Sequence, residues 1–363
     1  MPSGRAREFL RYLAYSVLSG ELDFAGAAAE APTVDWAKVA RVDERIAAER
    51  DPVLRVALAR SLPDWLAKLL IAEYGDDADE LAAALAKRAP LTIRVNTLKA
   101  TREELAARLD ADGVATLPTR LSPTGLTLTS HVNVFGLGAF REGLFEVQDE
   151  ASQLVAELVA PPPGGLVVDA CAGAGGKTLA LGALLGNRGR LVALDVSGRR
   201  LQELRRRARR AGLSNVRAVE IDRDAWPEEV DRLSGRADRV LCDAPCSGIG
   251  ALRRSPEAKW RMTEADALRL PIEQEGIVRR ALALVAKGGR LIYATCTILR
   301  AENEDVIERV LASDASLEPV RVAEVWGSVR AFPLTDPSGT YLKLYPHRHG
   351  TDGFFAAVLR RKR

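Results

Sequence analysis

The chain is poor in cysteine. Four thiols occur in 363 residues, Cys171, Cys242, Cys246 and Cys296, and none lies in the first 170. That is no disulfide framework, the spacing fits no zinc knuckle, and no metal site is expected. Long apolar runs are missing as well. No stretch approaches the ~18 apolar residues of a membrane-spanning helix. The N-terminus lacks a compact apolar core followed by a cleavage site, so no signal peptide is expected. A cytoplasmic, reducing location fits these absences. Charge of one sign is not in excess either: the net value of +3 is too small to name a partner. The Walker spacing is also absent, because Gly173 stands too close to Gly176-Lys177-Thr178, and a triphosphate cradle is disfavoured.

What is present is apolar content of 47%, enough for a globular chain. The length suits two or three domains. Residues 1–88 read as helical. Phe9, Leu10, Leu13 and Val17 fall at helical spacing, as do Leu66, Leu69, Leu70 and Tyr74 before Gly75. From Leu91 to Asn96 the pattern becomes strand-like. Thr101 to Glu104 is a capping box opening a helix that Gly113 stops. Gly125–Leu128 and Leu144–Val147 read as further strands. Residues 89–150 thus form a small α+β unit. Its Arg94, Lys99, Arg102, Arg120 and Arg141 are either solvated surface or a nucleic-acid face.

Residues 151–363 alternate strands with helices. Leu166–Val168 ends at Asp169, Leu191–Leu194 at Asp195, Val216–Ile221 at Asp222, and Val240–Cys242 at Asp243. Arg290–Ala294 ends at Thr295. Leu201, Leu204, Ala208 and Ala211 make one helical stripe. Apolar strands separated by helices mean a parallel sheet covered on both faces. Leu342–Leu344 and Phe354–Leu359 read as two strands around a loop and suggest an antiparallel edge.

Three loops carry chemistry. Cys171-Ala172-Gly173-Ala174-Gly175-Gly176-Lys177 leads from the first strand into a helix. Glycines there let a ligand approach the backbone. Asp195, at the next strand end, can take two ribose hydroxyls. Four carboxylates at successive strand ends would repel a phosphate-rich ligand but suit a cationic sulfonium, so the pattern favours S-adenosyl-L-methionine and a methyltransferase over a dehydrogenase. A helix cap is the plainer reading of any one of these Asp residues. Cys246 and Cys296 sit on the loops after two other strands, where open α/β sheets place their chemistry. Cys242, inside a strand, reads as a small buried hydrophobe, and Cys171 is open between packing and ligand contact.

On these residues the chain resembles the RsmB-like (Sun-type) RNA (cytosine-5)-methyltransferases. The matching stretches are Arg94–Thr97, Gln148–Ser152, Asp169–Thr178, Asp243–Gly248, Lys259-Trp260, Tyr293–Thr297 and Asp352–Phe355. The resemblance implies a Rossmann-like S-adenosylmethionine-dependent domain preceded by helical and small α+β RNA-binding domains. It implies a cofactor site at Cys171, Ala172, Gly173, Ala174, Gly175, Gly176 and Lys177, with Asp195 on the ribose. It places Asp222 near the adenine, with Asp224 a competing candidate, and Asp243 between cofactor and base. It makes Cys296 the nucleophile toward cytosine carbon 6 and Cys246 the residue that releases product. Lys177 is a candidate electrostatic neighbour of the thiol. Asp243, if protonated, would hydrogen-bond the base at nitrogen 3. Ala174 stands where the family commonly has Pro. RNA is the implied partner, ribosomal before transfer RNA, and a monomer the expected state. The alternatives are an exocyclic-amino methyltransferase, whose strand-end motif would want Pro-Pro-aromatic after the Asp, and a non-catalytic RNA-binding assembly factor.

Overall fold

The computed structural model describes residues 4–223 and 225–363. Asp224 lies outside them. The chain divides into two compact units, Met1–Asp79 and Glu80–Arg363. The first unit is helical. Its helices include Gly4–Leu18, Phe24–Glu30, Pro52–Arg60 and Asp64–Tyr74. Asp23 and Asp51 cap two of them by accepting backbone N–H bonds. Leu13 and Val17 turn inward onto Ala27 and Trp36, while Phe9, on the same stripe, stays exposed.

The second unit holds two sheets. The smaller is antiparallel, with β1 Thr92–Val95, β2 Thr116–Pro118, β3 Gly125–Leu128 and β4 Phe145–Val147 in the order β2-β3-β1-β4. The expected capping box is formed, Thr101 with Glu104, at the start of the helix Arg102–Ala111. That helix buries Leu105 and Leu109 on the sheet.

The larger sheet has eight strands: β5 Leu166–Asp169, β6 Arg190–Asp195, β7 Val216–Glu220, β8 Ala237–Asp243, β9 Val285–Thr295, β10 Leu317–Val320, β11 Leu342–Leu344 and β12 Phe354–Arg361. The order is β10-β12-β9-β8-β5-β6-β7, with β11 also on β12. From β9 to β7 all pairs are parallel. Chain order reverses at β5, between β6 and β8, which opens the crevice where such sheets bind ligands. The helix Gly198–Ala211 buries the Leu201, Leu204, Ala208 and Ala211 stripe, as its spacing requires.

One expectation is corrected. The last strand is antiparallel but is no edge. β12 lies between β9 and β10, and its residues Phe354–Leu359 are all buried. A continuous apolar run is what an interior strand needs. At this end of the sheet the edge places go to β11, as one of the two expected strands, and to β10, a Pro-containing strand with no apolar run to betray it.

Candidate active site

β8 and β9 run parallel with Asp243 opposite Ala294, so the loops that follow leave the sheet at one level. This brings the Cys246 and Cys296 sulfurs to 3.3 Å. Both are partly buried. The contact with Cys296, and then burial, holds the Cys246 thiol well above its ordinary pKa. Cys246 therefore keeps its proton, and either sulfur can be the donor in the contact between the two.

The loops are braced from below by residues the sequence did not single out. Glu302 is fully buried and accepts from the Ser247 backbone N–H at 2.8 Å and from Gln274 Nε2 at 2.8 Å. Gln274 also donates to the Pro245 carbonyl at 3.0 Å, and Ser247 Oγ meets Thr297 Oγ1 at 2.8 Å. Asn303 donates to the Thr297 carbonyl at 3.2 Å. Gly250 passes so close to Gly353 that a Cβ would lie 2.1 Å from its carbonyl oxygen. Only the neighbouring Glu-Asn after the second cysteine could have signalled this network.

Asp243 receives the Lys177 ammonium at 2.6 Å. The ammonium also lies 4.9 Å from the centre of the Phe354 ring. Lys177 is thus engaged with Asp243, because the first helical turn aims its side chain at the end of β8.

The glycine loop follows β5 and opens the helix Gly176–Leu184. Gly173 and Gly175 have φ of +54° and +89°. A Cβ on Gly175 would come within 2.7 Å of Leu204, so that glycine sets the packing of loop on helix. Asp195 accepts the Gly173 and Ser197 N–H groups at 2.8 Å each, one on each oxygen. A carboxylate has about four acceptor positions, which leaves two. Asp222 is exposed on the loop after β7.

Cys171 is half-buried, and its thiol is hydrogen-bonded to the free, fully buried Cys242. That bond, and then burial, pushes the Cys171 thiol well up, as befits a packed, unreactive sulfur. Asp169, not among the sequence candidates, is 1% exposed and keeps one oxygen without a partner while the other accepts from Thr178 at 2.7 Å. Burial first, and the Asp243 charge second to it among the raising causes, lift its pKa to about 7. An orphaned buried carboxylate oxygen, two open acceptors on Asp195 and a loop of left-handed glycines fit a cationic ligand carrying a ribose.

One reading of surface charge is corrected, that of Arg94, whereas Lys99 is exposed. Arg94 is buried and donates to Gln148 and to the Gly176 carbonyl, the latter at 2.9 Å. Lys99 donates to the carbonyls of Glu142 and Arg210 at 2.6 and 2.7 Å. Both hold the small sheet against the large one. Arg120 and Arg141 remain exposed.

Residues 156–360 match the model of the 16S rRNA methyltransferase RsmB/F family. The chain belongs to this family. Residues 62–135 match the ferredoxin-like domain of RsmF/B-like methyltransferases. Over 313 residues the chain is 35% identical to the probable ribosomal RNA small subunit methyltransferase B of Bacillus subtilis, covering 86% of this chain and 69% of that protein. It is 36% identical to the corresponding Synechocystis protein over 83% of this chain and 67% of that one. Among solved structures, a methyltransferase homolog from Pyrococcus horikoshii superposes with a TM-score of 0.73 at 28% identity, over 87% of this chain and 100% of the other. NSun6 from the same organism gives 0.72 at 22% identity, over 82% and 97%, a likeness of fold. The glycine loop, Asp195 and the two thiols of this RsmB/F-family chain all lie at the carboxyl ends of its parallel strands.

Two expected results follow from the geometry. Asp195→Ala should weaken S-adenosylmethionine binding about ten- to a hundredfold, since hydrogen bonds to a charged group contribute roughly 1.5–3 kcal/mol. Calorimetry on folded variant protein checks it, and unchanged affinity removes Asp195 from the ribose. Asp169 makes ligand-free stability fall with rising pH. Its folded pKa of about 7 lies above its ordinary 3.8. Its neutral form is tolerated and its ionised form is not, so stability is fully present below pH ~4 and is lost as pH rises through ~7. Urea unfolding of wild type and Asp169→Asn at pH 5 and pH 8 should show the variant gaining by a few kcal/mol on going to pH 8. A constant difference between the two would contradict the burial argument.

Proposed function

We propose that the chain transfers the methyl group of S-adenosylmethionine to carbon 5 of a cytosine in small-subunit ribosomal RNA. The two thiols 3.3 Å apart beside the glycine loop carry this reading. The relatives' names support ribosomal RNA as the substrate. Residues 171–177, Asp195, Asp222 and Asp243 would hold the cofactor, which supplies an electrophilic methyl group.

Carbon 5 of cytosine is a poor nucleophile. Addition of the Cys296 sulfur to carbon 6 makes carbon 5 enamine-like and able to take the methyl group. Asp243 presents the oxygen that Lys177 leaves open to the nitrogen 3 edge, where the proton neutralising the adduct is held. Elimination completes turnover: the carbon 5 proton passes to a water base, its electron pair reforms the carbon 5–carbon 6 double bond, the carbon 6–sulfur bond breaks, and the Cys246 thiol donates a hydrogen bond to the departing Cys296 sulfur. The target base must leave its stack to reach the thiols. Exposed Arg120 and Arg141 on the small sheet's side of the unit suit contact with the RNA backbone.

Incubation with labelled cofactor and 16S rRNA, followed by digestion to nucleosides, tests the reading. Label in 5-methylcytidine is expected. Label in an amino-methylated nucleoside, or no transfer by cofactor-bound protein, would defeat it.

A further inference from the structure

At the opposite end of the large sheet from the thiols lies a cavity of about 470 Å³. Six of its lining side chains are cationic: Arg239, Arg290, Arg360, Arg361, Lys362 and Arg363. Among the described residues lining it, Glu318 is the one acid. The arrangement is set by strand register. Arg239 on β8 stands opposite Arg290 on β9, Arg290 opposite Arg360 on β12, and Arg360 opposite Glu318 on β10. Directly paired residues project to the same face of a sheet, so three guanidinium side chains form one row across three neighbouring strands.

Such a row is unfavourable by itself, because like charges directly opposite destabilise a sheet. Glu318 offsets part of it through its 2.6 Å pair with Arg360. The Arg239 guanidinium is tied to the carbonyls of Val159, Ala160 and Asp238, contacts that fix its place without neutralising it. Burial, and next the charge of Arg290, holds its pKa below the ordinary arginine value. The Asp238 charge acts on Arg239 in the opposite sense, and the net positive charge that remains around a concave space calls for anions. A single phosphate is satisfied by one or two guanidinium forks, and six cations exceed that need. Neighbouring strands are ~4.8 Å apart, so the row extends over about 10 Å, the reach of consecutive backbone phosphates rather than of one small anion.

We propose that this cavity is a second RNA-docking site, which grips the phosphate backbone of the substrate away from the target cytosine; the proposal rests on the RNA-methyltransferase reading above. From Arg290 to Thr295 the rise along β9 is about 17 Å at ~3.3 Å per residue. A folded ribosomal RNA spans that distance while its target base is turned into the thiol crevice. The site reads no sequence. It supplies affinity and orientation, and its contribution falls with salt as counterions are released.

The test uses the full chain and a 16S rRNA transcript. Arg290→Gln, Lys362→Gln and Arg363→Gln are combined, three substitutions outside the catalytic and cofactor machinery. Cofactor affinity reports that the fold is intact. The slope of log affinity against log salt should become shallower by about 2–3, and affinity at physiological salt should drop about tenfold or more. With saturating RNA, kcat should be unchanged and KM raised. Glu318→Gln, which removes the lone acid, should bind RNA more tightly. Wild-type affinity and slope in a triple variant that binds cofactor normally would overturn the proposal, as would unchanged or weaker binding by Glu318→Gln. Failure of the wild-type protein to methylate this RNA would instead count against the function proposed above, whatever the variants bind.

Discussion

Cys296→Ala should form no methylated product and no RNA adduct, whereas Cys246→Ala should become trapped on its substrate. The two sulfurs are 3.3 Å apart, so both reach one base, but only one can bond to carbon 6. With Cys296 gone there is no covalent activation of carbon 5, and the hard step is no longer split into easier ones. Turnover should fall to background. With Cys246 gone the attack and methyl transfer proceed, because none of the hydrogen bonds that hold the Cys296 loop, from Asn303, Leu299, Ser247 and Gly250, comes from the Cys246 side chain. Release does not proceed. The Cys246 variant should accumulate as a protein–RNA species that survives a denaturing gel and disappears on RNase treatment. A Cys246 variant that turns over normally would reduce that residue to loop packing. A trapped species from Cys296→Ala would exchange the two roles.

Glu146→Ala should lower both the melting temperature and cofactor affinity, although Glu146 lies on the small sheet and the cofactor loop on the large one. Its carboxylate is buried and pairs with Arg207 at 3.0 Å and with Arg210. Arg207 in turn donates to the Ala174 carbonyl at 2.8 Å, and Arg94 to the Gly176 carbonyl at 2.9 Å. The glycine loop is therefore held by two arginines whose charge Glu146 balances. Breaking a buried pair from one side costs about 3–5 kcal/mol. At ~2–4 °C per kcal/mol, the melting temperature should drop by roughly 10 °C. Calorimetric cofactor affinity should fall with it. A chain starting near Glu150 lacks the same anchors and should show the same two losses. Unchanged melting and unchanged affinity in Glu146→Ala would mean that the small sheet is a passive appendage.

These buried arginines also show where sequence reading stops. The alternating core of the large sheet was legible, because apolar strands ending in Asp and helices with one apolar stripe leave little choice of architecture. The capping box at Thr101 was legible, since its two hydrogen bonds are local. So were both cysteine loops, each delivered by a strand that runs out. Arg94 and Lys99 were not. A cation in a sequence carries no mark of whether it meets solvent or a carbonyl more than 80 residues away, and Arg94 meets Gly176. The same holds for Lys177, whose partner Asp243 is brought near only by the parallel pairing of β5 with β8. Asp169 was read as a strand end, and its orphaned oxygen arises from burial that only the packed sheet creates. The position of β12 went unread because an interior antiparallel strand and an edge strand differ in neighbours, which the sequence does not specify.

The most direct measurement of the central claim uses RNA carrying 5-fluorocytidine at the target position. Fluorine cannot leave carbon 5 as a proton does, so after attack and methyl transfer the adduct has no exit. Wild-type protein, cofactor and this RNA should give a stable covalent complex, and mass spectrometry of its digested peptides should place the nucleotide on Cys296. Attachment at Cys246, or turnover of unmodified RNA with no complex on the fluorinated one, would contradict the account.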